Sequence, residues 1–281
     1  MNPMISKITF ATAGVPISSP KPDTVTGLQR IKELGLDGME LEFVHGVRMG
    51  REMADQINAK AKELTLDLSV HGPYYINLNA VEPEKQAASK QRIFDSAKVG
   101  AWCGCRAVTF HPAYVMKSKR EDVAKRVLKS LSDILAKMDS EKIHIQLKPE
   151  TTGKETQFGS LTELLFLHHE EPRFCPNVDF SHLHARENGR FKKKEDFAKA
   201  LDEMEKNDPK LLHDLHMHVS GIAYSSKGEK NHLVLEDKAN DFNYRWLLET
   251  LAEYGVEGRI VCESPNIETD ALLLKRYYES L

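Results

Sequence analysis

Apolar positions along this chain follow two periods that take turns. Short stretches alternate or run apolar, as in Ile8-Thr9-Phe10 and Leu66-Asp67-Leu68-Ser69-Val70-His71, as a strand that sends successive side chains to opposite faces requires. Longer stretches such as Arg51–Leu64 repeat apolar residues every three or four positions, the spacing of a helix with one buried face. Strands are predicted over Lys7–Ala11, Asp37–Val44, Leu66–His71, Ala107–His111, Ile143–Leu147, Asn177–Phe180, Leu212–Val219 and Arg259–Glu263. Helices are predicted between them: Asp23–Leu34 closed by Gly35, then Arg51–Leu64, Pro83–Gly100, Lys119–Met138, a helix capped by Ser160 and running through Leu167, Lys194–Glu205, Phe242–Tyr254 and Thr269–Tyr278. No linker-like break or low-complexity tract interrupts the series. Eight strands alternating with eight helices predict a parallel α/β protein, a closed (β/α)8 barrel of the TIM type forming one domain over residues 1–281.

Composition narrows the class without changing that picture. A hydrophobic fraction of 41% with 29% charged residues is that of an ordinary globular protein. No apolar run approaches the roughly 18 residues of a membrane span, and Met1–Lys7 lacks the charged start and apolar core of a signal peptide. A cytoplasmic monomer with no membrane partner is expected. The four cysteines, Cys103, Cys105, Cys175 and Cys262, contain no Cys-x-x-Cys pair, and Cys103-Gly104-Cys105 is too close for an unstrained disulfide. They read as small buried residues in a reducing compartment. A net charge of −3, from 39 basic and 42 acidic side chains, removes any global electrostatic case for nucleic-acid binding and leaves only a local one.

The chemistry-bearing residues gather at predicted strand ends. The third strand ends in His71 and the fourth in His111; the fifth leads to Glu150. Pro176–His182 reads as a strand ending in Asp179, with His182 three residues on. The seventh carries His216 and His218, the loop after it Glu229 and His232, and the eighth ends in Glu263. Each alone has an ordinary reading: a capping Asp, a satisfied or surface His, a Glu at a helix dipole. Converging on the C-terminal mouth of one barrel, where such folds place their active sites, they are different. Several imidazoles and carboxylates buried together need neutralising, and divalent metal does so; mixed His and carboxylate donors favour zinc, manganese or iron over calcium. The set exceeds what one ion needs, and multi-metal sites are characteristic of phosphoester hydrolysis.

These residues stand in recognisable strings. His71-Gly72-Pro73-Tyr74 with Ile76-Asn77-Leu78, Phe110-His111-Pro112, Glu150-Thr151-Thr152-Gly153 with Gly159, Asp179-x-x-His182, His218-Val219-Ser220 and Glu263-Ser264-Pro265 together resemble the endonuclease IV family, in that family's order, from the third strand to the C-terminus. The resemblance implies a TIM barrel that cleaves DNA 5′ to abasic or damaged sites with a metal-bound hydroxide as nucleophile. It implies two or three zinc ions, with manganese as the alternative. One would be held by His71, His111 and Glu150; a second by Glu150, Asp179, His218 and Glu263; a third by His182 and His232. Glu150 would bridge or act as the base. The pattern departs at the third ion, where the family's Asp-x-His is Gly228-Glu229-Lys230-Asn231-His232 here, so Lys230 takes the Asp position and Glu229 is the nearby acid. The fifth-strand string has one residue fewer before Gly153 than the family pattern. Glu40 and Glu42 do not match it either; they look like related sugar isomerase and epimerase barrels, or one is simply solvated. His216 reads as a residue of the core or behind the ligands.

Local basic charge on the predicted active face is compatible with damaged double-stranded DNA: Arg48, Arg186, Arg190 and Lys230 are candidate phosphate contacts. Tyr74 and Tyr75 could wedge into a duplex or stack on a base, or pack against the next loop. The rival enzyme is a single-metal sugar-phosphate isomerase or epimerase using Glu150, Asp179, His218 and Glu263. A non-catalytic DNA- or metal-binding protein is the third class.

Overall fold

Parallel pairing and helix capping explain most of the architecture. The structure, a computed structural model, describes residues 8–281. Lys7, taken above as the first strand residue, and the N-terminal stretch Met1–Lys7 lie outside the described residues. The barrel strands are β1 (Ile8–Ala13), β2 (Gly38–Glu42), β3 (Asp67–His71), β4 (Ala107–Phe110), β6 (Gln146–Pro149), β8 (Asn177–Asp179), β9 (Leu215–Val219) and β12 (Gly258–Cys262). Two short ladders lie outside the barrel: β5 (Ala113–Tyr114) with β7 (Gln157–Phe158), and β10 (Gly221–Ser225) with β11 (Gly228–Leu233). The helices are α1 (Thr24–Leu34), α2 (Arg51–Leu64), α3 (Pro83–Cys103), α4 (Arg120–Ser140), α5 (Leu161–Glu170), α6 (Phe180–Arg186), α7 (Lys194–Asn207), α8 (Tyr244–Glu253) and α9 (Glu268–Glu279).

The eight barrel strands run in the order β6-β4-β3-β2-β1-β12-β9-β8, and the registered pairs are parallel. Isolated bridges Leu147–Phe174 and Glu150–Asn177 bring β6 to β8, so the barrel is nearly closed. Local signals place the helices. Asp23 caps α1 by accepting from the Thr26 amide, and Gly35 ends it at φ 74°. Ser160 and Glu163 form a reciprocal capping box on α5.

The alternation within the strands separates two interiors. Met39, Leu41, Leu68, Val70, Val108, Leu147, Val178, Met217 and Ile260 are buried apolar residues of the core. Their sequence neighbours Glu40, Ser69, Thr109, Lys148, Asn177, His216 and His218 are equally buried and polar. Glu40 on β2 touches His216 on β9 although two strands separate them in the sheet, so the contact crosses the barrel lumen. The bond from Asn177 Nδ2 to Thr109 Oγ1, 2.8 Å, crosses it likewise. The lumen is therefore polar toward its C-terminal mouth, and this floor carries the site.

Several expectations need correction. The fifth strand lies at Gln146–Pro149, not Ile143–Leu147, because register with β4 starts at Ala107–Gln146 and carries the chain on to Glu150. Leu212 and His213 belong to a 3-10 turn, Pro209–His213, ahead of β9. The sixth strand ends at Asp179, which at once caps α6 by accepting from the His182 amide at 2.7 Å. Neither α6 nor the β10–β11 hairpin is predicted from the sequence pattern. Cys103, Cys105 and Cys262 are buried as expected, but Cys175 is only half-buried. Among the described residues no helix is long and apolar enough to cross a membrane.

Candidate metal centre

Glu150 is the hub of the site. Its carboxylate is fully buried just beyond the end of β6, and its two oxygens face different partners. Oε1 lies 3.2 Å from His111 Nε2, 3.2 Å from His182 Nδ1 and 3.5 Å from His218 Nδ1. Oε2 lies 3.3 Å from His71 Nε2 and accepts from Thr109 Oγ1, also 3.3 Å. Around it the side chains fall into groups whose ligand atoms lie within 4.8 Å of one another: His71, His111 and Glu150; Glu150, Asp179, His218 and Glu263; Asp179, His182, His232 and Glu263. The metal-ligand candidates drawn from the ends of β3, β4, β6, β8, β9 and β12 thus meet in one place.

Each anchored imidazole has one nitrogen committed elsewhere. A carbonyl can only accept, so His71 Nδ1–H donates to Gly72 O (2.8 Å), His182 Nδ1–H to Thr151 O (3.1 Å) and His232 Nδ1–H to Glu263 O (3.1 Å). His71 is left with Nε2 toward Glu150. His182 and His232 are left with Nε2 lone pairs facing each other 3.4 Å apart. Two acceptors cannot satisfy each other; a proton or a cation must lie between them. Asp179 Oδ2 and both ring nitrogens of His218 are likewise buried without a hydrogen-bond partner. The donor set and these orphaned atoms fit divalent cations.

Glu229 joins the His182–His232 pair by way of a β-bulge. The hairpin register runs Ile222–His232, Ala223–Asn231 and then Tyr224–Glu229, which makes Lys230 the extra residue. In a regular strand Lys230 and His232 would share a face; the bulge puts Glu229 there, its Oε2 3.7 Å from His182 Nε2. Glycines allow the close approach this needs. A Cβ on Gly153 would come within 2.6 Å of the Glu229 side chain, and one on Gly228, at φ +89°, within 2.3 Å of Gly153 O.

Behind the cluster, Glu40 is fully buried. It accepts from Ser69 Oγ at 2.7 Å and lies 3.0 Å from His218 Nε2 and 3.2 Å from His216 Nε2. Nε2 therefore sits beside the Glu40 carboxylate without a well-formed hydrogen bond to it, and Nδ1 points toward Glu263 Oε1 at 3.1 Å. His216 lies behind the ligands; burial pushes its pKa down to about 3 despite Glu40, so the ring is neutral. The motif strings gave no hint of Glu40. The signal that could have found it is a Glu between two apolar residues of a barrel strand, which has the lumen to face as well as the solvent.

The carboxylates and imidazoles hold each other charged. Burial would raise Glu150, but His218, His111 and His182 outweigh it and keep its pKa well below the ordinary carboxylate range. Burial likewise opposes Glu263, yet His218 brings it down to about 2. Burial works against protonated His71, but Glu150, Glu42 and Glu40 lift it to about 10. His182 and His218 are held well above their ordinary value against burial, chiefly by Asp179 and by Glu263. Asp179 is pushed up to about 7 by burial, partly offset by His182. These charges make the stability of metal-free protein depend on pH. The raised His71 stabilises the fold fully below its unfolded value of 6.5, and that contribution is lost as pH rises toward about 10. The depressed Glu263 stabilises above 4.5, and that contribution is lost as pH falls toward about 2. Chelated protein is expected to melt highest between these limits and at progressively lower temperature above about pH 6.5, as thermal scans across pH would show. A metal-saturated sample, its imidazoles already deprotonated, should be flatter over the same range.

The candidate DNA contacts divide. Tyr74 and Tyr75 are 56% and 62% exposed at the rim after β3. Arg48 is exposed and lines, with Glu40 and Glu42, a cavity of about 540 Å³. The Glu42 carboxyl is exposed on that wall. Lys230 is exposed on the bulge. Arg186 is not at the open face: it is buried, and its guanidinium donates to Thr152 Oγ1 (3.0 Å) and to the Lys154 and Gln157 carbonyls, bracing the loop that carries Gly153. Arg190 is tied to Glu187 at 2.7 Å and Glu203 at 3.7 Å.

Known proteins share this frame. The model of the xylose isomerase-like TIM barrel family matches residues 28–279. The uncharacterized protein MJ0133 of Methanocaldococcus jannaschii is 40% identical over 273 residues, 97% of each chain. Among solved structures, endonuclease IV from Thermus thermophilus aligns with a TM-score of 0.73 at 19% identity, over 97% of this chain and 100% of that one. A D-tagatose 3-epimerase-like protein gives 0.72 at 17%, over 97% and 98%. The 3-keto-D-glucoside 4-epimerase YcjR from E. coli gives 0.69 at 15%, over 97% and 100%. At such identities the likeness to these structures is one of fold.

Proposed function

The chain belongs to the xylose isomerase-like TIM barrel family, and we propose that within it the protein is a zinc-dependent phosphodiesterase of the endonuclease IV type, cutting DNA 5′ to abasic or damaged sites. The observation that carries this reading is the surplus of donors: three mutually contacting groups around Glu150, with Glu229 added by the bulge, are more than one ion can use. His71, His111 and Glu150 would hold one ion, Glu150, Asp179, His218 and Glu263 a second, and His182, His232 and Glu229 a third. Bound there, divalent ions would supply an activated water and positive charge for the phosphate oxygens.

The chain's own residues do the rest. Glu150 would be shared by two ligand groups and would not be the base, because both its oxygens are engaged and its carboxyl sits far below the near-neutral pKa a general base needs. Tyr74 and Tyr75 offer exposed rings to an unstacked base, and Arg48 and Lys230 offer charge to phosphates. Damaged duplex DNA is the partner of this reading, met by a cytoplasmic monomer.

A single-ion sugar-phosphate isomerase or epimerase is the second reading. Glu42 favours it, since it places a solvent-reachable carboxyl, able to move a proton, on the wall of the cavity that Glu40 also lines. Metal analysis of chelator-free protein separates the two. The nuclease reading expects about two or three ions per chain, about one fewer in His111→Ala, and a nick at a synthetic abasic site in duplex DNA. A single ion untouched by His111→Ala, with intact duplex, would end that reading and favour the isomerase.

A further inference from the structure

A second group of reactive side chains gathers at the opposite end of the barrel. His168 lies in the last turn of α5, Cys175 just ahead of β8, and Asp208 just ahead of the Pro209–His213 turn. Cys175 lies four positions before Asp179, which puts its backbone roughly 13 Å from that of Asp179 along an extended chain. His168 is only 5% exposed. Its Nε2 lies 3.2 Å from Asp208 Oδ2, so Nε2–H donates to the carboxylate, and Nδ1 is buried with no hydrogen-bond partner. With Nε2 taken, Nδ1 is the nitrogen left for the neighbouring Cys175 thiol. The S–H itself points at Pro172 O, 3.7 Å away, and needs only a rotation to serve the imidazole. A cavity of about 220 Å³, lined among others by His168, Cys175, Asp208 and Lys210, opens on the group.

We propose that Cys175, His168 and Asp208 form a reactive-thiol site for small disulfides on the face of the barrel away from the metal centre. The Cys175 proton passes to His168 Nδ1, and Asp208 steadies the imidazolium through Nε2–H. The thiolate sulfur attacks one sulfur of the small disulfide; the new S–S bond forms as the old one breaks. The departing half leaves as a thiolate and takes up the proton held on His168. Cys175 is oxidised to a mixed disulfide and the small disulfide is the oxidant.

The surroundings support this assignment. The Cys175 thiol is the largest influence on His168 and raises its pKa, with burial opposing and Asp208 adding to the rise. The other cysteines are poor rivals: Cys103 and Cys262 are buried and pushed up to about 12, and buried Cys105 is raised well above its ordinary value. The charged groups facing the trio are Lys210 and Asp214 in the same cavity, with Arg106, Asp139, His144 and Arg173 lining the one on the other side of Cys175. Buried Lys148 lies nearby as well. Arg173 is paired with Asp139 and Glu171, Arg106 with Asp67 and Asp214, and Lys148 with Asp214. His144 is exposed in the second cavity, so His168 is the buried base beside the thiol with an unpartnered ring nitrogen.

The test is the pH dependence of the rate at which native protein, His168→Gln and Asp208→Asn react with 5,5′-dithiobis(2-nitrobenzoate), with peptide mass spectrometry locating the label. Native Cys175 is expected to react at about pH 6.5 at least ~10-fold faster than in His168→Gln, with the curves converging above about pH 9.5 and Asp208→Asn between them. Labelling of Cys103, Cys105 or Cys262 would mark an unfolded variant. The native curve also decides alone: an unassisted thiol loses a factor of about 10 per pH unit below ~8.5, whereas the assisted one stays nearly level. Such an unassisted slope, or superimposable curves for the folded variants, would overturn the proposal. Since the site is remote, Cys175→Ser should keep the native metal content.

Discussion

Glu150→Gln is expected to leave at most about one ion on the chain and to lower phosphodiesterase activity by ~10³-fold or more. The size of the effect follows from position. Glu150 is common to two of the ligand groups, and its oxygens touch His71, His111, His182 and His218. The amide keeps the shape but removes the charge and turns one acceptor into a donor. The His182–His232–Glu229 group takes no ligand atom from Glu150, although His182 touches it, and is the one expected to keep an ion. Metal-free protein should suffer as well, because raised imidazoles lose their counter-charge; breaking a fully buried ion pair costs about 3–5 kcal/mol. Part of that is recovered as the imidazoles lose protons. The stability gap between the native chain and Glu150→Gln should therefore be wide near pH 6 and narrow as pH rises through about 10, above which His71 is neutral in either form. Elemental analysis with thermal melts in chelator reads both effects. A variant with the native metal content would refute the central place given to Glu150.

What the sequence made legible was whatever repeats with the fold. The two apolar periods located the barrel strands because each strand meets helices on one side whatever its other side does. His71, His111, Asp179 and Glu263 could be placed at the mouth because a strand end is fixed by its own strand. The misplaced features depend on partners distant in sequence. Gln146–Pro149 is a strand because of its register with β4, whereas Ile143 and His144 carry the apolar signal. Glu229, and not Lys230, faces His182 because of a bulge at Lys230, and a bulge is a property of two paired strands. Arg186 sits in a basic stretch after the sixth strand, but α6 turns it inward onto the Gly153 loop. Cys175 reads as one of four interchangeable small residues until the fold sets it beside His168.

Glu40 carries the last of these lessons and the second large effect. An alternating strand with a Glu invites the reading that one face is wet. In a barrel that face is the lumen, and a fully buried carboxylate there must be satisfied by others. Glu40 accepts a hydrogen bond from Ser69 and lies in charge contact with His216 and His218, and its negative charge favours a hydrogen on the His218 nitrogen beside it, leaving the other toward Glu150 and Glu263. Glu40→Gln keeps the shape but loses the charge: with its NH2 toward Ser69 and His216 those groups must turn acceptor, and with its NH2 toward His218 it confronts the hydrogen on Nε2. If His218 changes tautomer to escape that clash, its Nδ1 carries a hydrogen and can no longer bind a cation. The expected result is a ~10- to 100-fold weaker affinity for the ion held by Glu150, Asp179, His218 and Glu263, the usual cost of losing a carboxylate behind a histidine ligand. The groups containing His71 and His232 should keep theirs. Competition with a coloured chelator measures the affinities site by site, and Glu40→Asp, which keeps the charge, should recover part of the loss. Equal weakening of every site would mean instead that Glu40 only supports the fold.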